Sequence, residues 1–418
     1  MRINIHRGTQ EIGGTCIELR TDSTRILLDA GSPLKPESAT LDVVDIKADA
    51  VIISHPHQDH YGLIDNLPPE SPVYIGKLAK NLLDATRMFR GVALHTNNFQ
   101  FYDKWQSFTI GNFRITPYLV DHSAVDAYAF LIEAEGKRVF YSGDFRGHGN
   151  KNKLFETILE HPPRNIDLLF LEGTMLQRDN HNFPDERSVQ LTIREVIAKQ
   201  ENISFIISSS QNIDRLISAY KACTSSGKIF VIDFYTAWVL EQVKEVSKGI
   251  RALDWRHIAV YSSGPSSGWL YDKMKKNRNR LGGFINRVFE HTVKEADLRA
   301  DPSRYLFLGK TGCHRLIDSF KSDKIIPLIY SQWLGYLNDD TGQDKNSAAI
   351  NRLRTENVPG VEFIYAHTSG HAPLEDLQAF AAALSPKALV PIHTEFAYLY
   401  ENHFANVLQL EDGKPYEI

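Results

Sequence analysis

Three histidines and an aspartate crowd into His55-Pro56-His57-Gln58-Asp59-His60, directly after the largely apolar run Ala50-Val51-Ile52-Ile53-Ser54. Imidazole and carboxylate together suit a divalent cation such as Zn, Mn or Fe. Residues two apart in extended backbone point the same way, so His55 and His57 can grip one ion. Asp59 and His60 then face a neighbouring position, which predicts two metals rather than one.

Further candidates close other apolar runs. Asp29 follows Arg25-Ile26-Leu27-Leu28, and His122 follows Tyr118-Leu119-Val120-Asp121. Asp144 follows Val139-Phe140-Tyr141-Ser142-Gly143, Glu172 follows Leu168-Leu169-Phe170-Leu171, and His393 follows Leu389-Val390-Pro391-Ile392. Polar groups on loops leaving rigid strands are what a preorganised metal site requires.

The elements that must carry them have two textures. Up to about residue 175, short predicted strands (24–29, 50–54, 113–120, 127–133, 138–142, 168–172) alternate with Gly, Pro and Asp. One long helical pattern, 78–88, interrupts them, which is the rhythm of a β-rich layered fold. Beyond Glu172, helices at 184–199, 212–222 and 236–246 alternate with strands at 203–208, 228–234 and 257–261. That alternation predicts βαβ units around a parallel sheet. From 361 the first texture resumes, with a strand at 361–366, a helix at 374–384 and a strand at 388–392. The reading is an α/β insert, 179–358, placed within a first domain made of 1–178 and 359–418.

Composition limits the function classes. Of 418 residues, 42% are hydrophobic and 23% charged, as in an ordinary globular protein. Lys and Arg number 47 and Asp and Glu 51, a net charge of −4, which excludes a globally basic coat but not a local patch. The run 273–287 is such a patch, with Lys273, Lys275, Lys276, Arg278, Arg280 and Arg287. The three cysteines, Cys16, Cys223 and Cys313, form no CxxC pair, which argues against disulfides and thiolate zinc. The first residues read as a strand and no run of about 18 apolar residues occurs, so a cytoplasmic location without a membrane is expected.

Asp29, His55-x-His57-x-Asp59-His60, His122 and Asp144 resemble, in order and spacing, the four motifs of the metallo-β-lactamase superfamily. Leu171-Glu172-Gly173-Thr174, His367-Thr368-Ser369-Gly370-His371 and Pro391-Ile392-His393-Thr394 are similar to motifs A, B and C of the β-CASP nucleases. The resemblance implies an αββα sandwich with an inserted β-CASP domain. It assigns His55, His57 and His122 to one metal, Asp59, His60 and His393 to the second, and Asp144 to both. It makes Asp29 a positioning carboxylate and His371 the general acid, held by Glu172.

The implied activity is hydrolysis of single-stranded RNA, internally or from a 5′ end. Two zinc or manganese ions would activate a bridging hydroxide, leaving a 5′-phosphate and a 3′-hydroxyl. His393 at motif C favours RNA, since the DNA-repair members typically carry valine there. A DNA nuclease and a small-ester hydrolase of the same superfamily are the alternatives. Ser209, Gln211, Asn212, Arg215, Tyr330, Ser331, His367 and Ser369 fall where related nucleases approach the substrate phosphate. The sequence stops soon after motif C, which leads to the expectation of a minimal catalytic module, with a homodimer left open.

Overall fold

The computed structural model describes residues 1–35, 38, 41–244, 256–262, 265–338 and 344–418. They divide into two units: Met1–Leu83, Leu94–Asn180 and Gly370–Ile418 in the first, Asp84–Ala93 and His181–Ser369 in the second.

Two sheets build the first unit. One runs Tyr416–Glu417, Arg2–Arg7, Cys16–Arg20, Arg25–Leu28, Ala50–Ile52, Pro72–Gly76, Asn98–Tyr102 in spatial order. The other runs Ala388–Ile392, Leu168–Glu172, Lys137–Tyr141, Ala127–Ala134, Phe113–Val120, Phe108–Ile110. Side chains alternate across each strand, and the apolar residues follow that alternation. Ile26 and Leu28 join Phe113, Phe130 and Phe170 in the core between the sheets. Leu27 points the other way, into a core shared with Ala79 and Leu83 of the helix Lys77–Arg90. On the outer face of the second sheet, Phe140 and Leu169 pack with Phe155 and Ile158 of one helix and Leu377 and Phe380 of another. The result is an αββα sandwich.

A seven-stranded parallel sheet forms the second unit, in the order Thr292–Val293, Ile258–Tyr261, Ile229–Ile232, Tyr305–Gly309, Ser204–Ile207, Ile326–Tyr330, Val361–Tyr365. Its central strands are apolar on both faces, as helix-covered parallel strands must be. Among the described residues, no helix is long and apolar enough to cross a membrane.

One boundary needs correcting. The strand Val361–Tyr365, expected to reopen the first domain, pairs in parallel with Ile326–Tyr330 in the second unit's sheet. The chain therefore returns at Ser369/Gly370 and not at 359. The segment Asp84–Ala93, expected in the first domain, also belongs to the second unit. A strand's periodicity shows that it is a strand but does not say which sheet receives it.

Candidate metal centre

Apart from Asp59 and His60, which lie in the short helix Gln58–Tyr61, and His371, the residues of the candidate centre sit at or just beyond strand ends of the first unit. Asp29 follows Leu28, the His55–His60 turn follows Ile52, and His122 follows Val120. Asp144 follows Tyr141, Glu172 ends its strand, and His393 follows Ile392. Asp29 and His393 adopt positive φ, 60° and 54°. Such conformations are costly outside glycine and persist where the surroundings fix them.

The imidazoles converge by particular nitrogens. Nε2 of His55 lies 3.1 Å and Nε2 of His122 3.3 Å from Nδ1 of His57. The opposite nitrogens of His55 and His122 are engaged by the protein: Nδ1 of His55 meets Ser54 Oγ at 3.0 Å, and Nδ1 of His122 donates to the Gly370 carbonyl at 2.5 Å. Three nitrogens thus point at one spot, and His55 and His122 are oriented from behind by these contacts.

A second group forms beside it. His60 Nδ1 bonds Asp29 Oδ2 at 2.7 Å, while its Nε2 lies 3.1 Å from Asp144 Oδ2 and 3.9 Å from Asp59 Oδ2. His393 Nε2 is 3.6 Å from Asp59 Oδ2 and 3.7 Å from Asp144 Oδ2. His60 Nε2, His393 Nε2 and both Asp144 carboxylate oxygens are buried and make no hydrogen bond. Buried polar atoms normally find partners, so four unsatisfied atoms aimed at common points fit a cation site. Four ligand sets are close enough to share an ion: His55, His57, His122; His55, His60, Asp144; Asp59, His60, His393; and His122, Asp144, His371.

From the protein charges alone, burial pushes His55 and His122 well below the usual histidine range, and His57 to about 4. Burial also lowers His393. Neutral imidazoles are the metal-binding form. His60 goes the other way, because Asp144, Asp29 and Asp59 outweigh its burial. Burial raises Asp144, but His393, His60 and His371 hold it well below the ordinary carboxylate value.

His371 stands at the margin of the centre. Its Nδ1 lies 3.0 Å from Glu172 Oε2 and 3.7 Å from Asp144 Oδ2. Burial lowers its pKa, but Glu172 and then Asp144 overcome this and raise it to about 9. Glu172 is itself fixed, accepting from the Phe145 and Thr174 amides at 3.0 and 3.4 Å. Asp29 spends both oxygens inside the protein, on Ser54 N–H, Ser54 Oγ, His60 and the Tyr141 hydroxyl.

The eight residues expected around a substrate phosphate lie in the second unit, and several have other duties. Arg215 is fully buried, its guanidinium bonded to Glu186 at 3.1 and 3.2 Å, to Ser331, and to the Thr368 carbonyl. The hydroxyl of Ser331 also donates to the Ala366 carbonyl. Asn212 caps the helix Ile213–Ser225 by accepting from Arg215 N–H at 3.1 Å. Tyr330 is core, its hydroxyl donating to the Trp333 carbonyl at 3.3 Å, and the Gln211 amide donates to Thr86 and Tyr235. These five are thus engaged by contacts within the unit. Polar loop residues look alike in sequence whether they serve a ligand or their own backbone. Ser209 is exposed, and His367 and Ser369 are partly so.

Other supporting residues gave no signal in the sequence. Thr15 and Tyr141 contact candidate-centre residues hundreds or scores of positions away, and the Gly370 contact to His122 is made by backbone.

Fold and centre together define a metallo-β-lactamase-type protein. Residues 24–203 match the family model of the beta-lactamase superfamily domain. Residues 362–415 match that of the Zn-dependent metallo-hydrolase RNA specificity domain. The chain belongs to the metallo-β-lactamase superfamily, in its β-CASP, ribonuclease J-like branch. It is 22% identical to ribonuclease J of Helicobacter pylori strain 26695, over 98% of this chain and 60% of that protein. It is 28% identical to an RNase J-like protein of Methanocaldococcus jannaschii, over 71% of this chain and 67% of the relative. The chain thus spans about 60% of the length of the Helicobacter relative. A crystal structure of a protein of unknown function from Enterococcus faecalis V583 shares the fold, with a TM-score of 0.76 over 99% of both chains at 22% identity.

Proposed function

We propose that this centre holds two divalent cations, zinc or manganese, and hydrolyses phosphodiester bonds of single-stranded RNA, internally or from a 5′ end. His55, His57 and His122 would hold one ion, and Asp59, His60 and His393 the other. The observation that carries this reading is Asp144: its buried carboxylate, free of hydrogen bonds, faces His55 at 3.6 Å from the first set and His60 and His393 at 3.1 and 3.7 Å from the second. Bound cations of this kind make water acidic enough to attack and offset charge on the phosphate oxygens.

The chain's own residues supply the rest. Nδ1 of His371 is engaged by Glu172, so Nε2 would be the nitrogen that serves the substrate. A protonated imidazole held there gives its proton to the departing 3′ oxygen, leaving a 3′-hydroxyl on one product and a 5′-phosphate on the other. Glu172 is the positioning carboxylate for His371, and Asp29 is that for His60. RNA is favoured over DNA because the relatives are ribonucleases or ribonuclease-like by name, and because the match to the RNA specificity domain includes His371 and His393.

The test uses single-stranded RNA and DNA of one sequence, labelled at the 5′ end, with protein reconstituted in zinc or manganese. Cleavage of RNA that disappears in Asp144→Ala supports the reading, and the ladder separates internal from 5′-end cutting. Cleavage of DNA alone would overturn it.

A further inference from the structure

A basic surface lies on the second unit, on the consecutive helices Pro265–Lys276, Arg278–Leu281 and Phe284–Glu290. Their inner face is apolar: Met274, Leu281, Phe284 and Val288 are buried, and the Phe284 ring meets Trp238 edge-on with centroids 4.9 Å apart. The outward face carries Lys275, Lys276, Arg278, Arg280 and Arg287, all exposed. Between Asp272 and Glu290 the sequence has six basic residues and no acidic one. With a net charge of −4, the rest of the chain carries −4 − 6 = −10, so the segment reverses the protein's overall sign.

Neutralisation within the fold is slight. Arg287 pairs with Glu241, and Lys275 Nζ sits 4.4 Å above the Tyr271 ring. Among the described residues, Lys276, Arg278 and Arg280 pair with no carboxylate. Elsewhere exposed cations commonly do, as at Arg2–Glu417, Arg299–Glu295 and Lys387–Asp167. Like charges held side by side repel one another, and a polyanion relieves that cost by binding. Asn279 and Asn286, exposed on the same helices, add amide donors for phosphate oxygens.

We propose that this surface is a docking site for the RNA backbone, separate from the residues of the metal centre and contacting phosphates without reading sequence. The choice of RNA as the polyanion rests on the proposed function. The surface itself rests on the charge and exposure just described.

The test is equilibrium binding of a single-stranded RNA of about 30 nucleotides, long enough for several contacts. It is measured with the metal-free 418-residue chain across a range of salt concentrations. Because no cleavage occurs, failure of the catalytic reading does not enter; that reading is tested separately by the cleavage assay. The variant is Lys276→Glu/Arg278→Glu/Arg280→Glu, whose sites are exposed, with its melting temperature checked against wild type. If each residue neutralises one phosphate, the slope of log K against log salt falls by about 2, from about 0.7 per contact on a single strand. Affinity at low salt should fall at least tenfold. Unchanged slope and affinity would overturn the proposal. So would a loss seen with polyglutamate or anionic lipid vesicles but not with RNA, which would assign the surface to another partner.

Discussion

The hydroxyl of Thr15 lies 2.8 Å from Nδ1 of His393, although 378 residues separate them in the chain. Both are buried, and the amide of Thr15 donates to the Asp59 carbonyl at 3.2 Å. The amide of His393 in turn donates to the Gly8 carbonyl at 2.7 Å. The loop between the first two strands therefore holds two of the three residues proposed for the second metal, His393 by side chain and backbone and Asp59 by backbone. With Nδ1 satisfied by Thr15, His393 keeps Nε2 directed at Asp59 and Asp144.

Thr15→Val removes that hydroxyl at nearly constant volume. Partners of this kind typically contribute 10–100-fold to metal affinity, so the weaker of two zinc-binding steps should lose about that much. The stronger step should stay, and Thr15→Ser should restore the weaker one. Zinc titration against a chromophoric chelator reads both steps. Two unaltered steps in Thr15→Val would contradict the role.

His371→Ala and Glu172→Gln should retain metal while cleavage slows by about 10²-fold or more, the scale of a lost general acid. Metal analysis and single-turnover cleavage on the same preparation make the comparison. Loss of an ion from His371→Ala would make this residue a ligand, in the set it forms with His122 and Asp144.

Asp121 and Arg146 are both fully buried and ion-paired at 3.5 Å, with the Arg146 amide donating to the Asp121 carbonyl at 2.7 Å. Asp121 precedes His122 and Arg146 lies two beyond Asp144, so the pair ties the two loops together. Removing one partner of a buried pair leaves the other uncompensated, at a cost of about 3–5 kcal/mol. Asp121→Asn should therefore lower urea-unfolding stability by an amount of that order, measured on metal-free protein, and weaken metal binding with it.

Arg215→Met separates a phosphate contact from an internal one. The Glu186 carboxylate would lose its buried partner, so a stability loss of about 3–5 kcal/mol is expected. A variant of normal stability with weakened RNA binding would return Arg215 to the substrate.

Much of the centre was legible because its chemistry is concentrated. His55 to His60 fit a cation site by residue type alone, and Asp29, His122, Asp144, Glu172 and His393 each punctuate an apolar run. The strands behind them were equally plain; the run at 24–29 forms Arg25–Leu28, and 374–384 forms the helix Leu374–Leu384. What was hidden depends on distance in the chain. Nothing near Thr15 or Tyr141 indicates that His393 or Asp29 will lie against its hydroxyl. Likewise nothing near Arg215 in the chain indicates that Glu186, Ser331 and Thr368 will surround its guanidinium.

The most direct test is to follow RNA cleavage while zinc or manganese is added to metal-free protein, with bound metal counted at each step. If cleavage needs both ions, activity should stay near background through the first equivalent and rise with the second. Asp144→Ala should stay inactive throughout. Full activity at one equivalent, or cleavage that survives chelator, would contradict a two-metal ribonuclease.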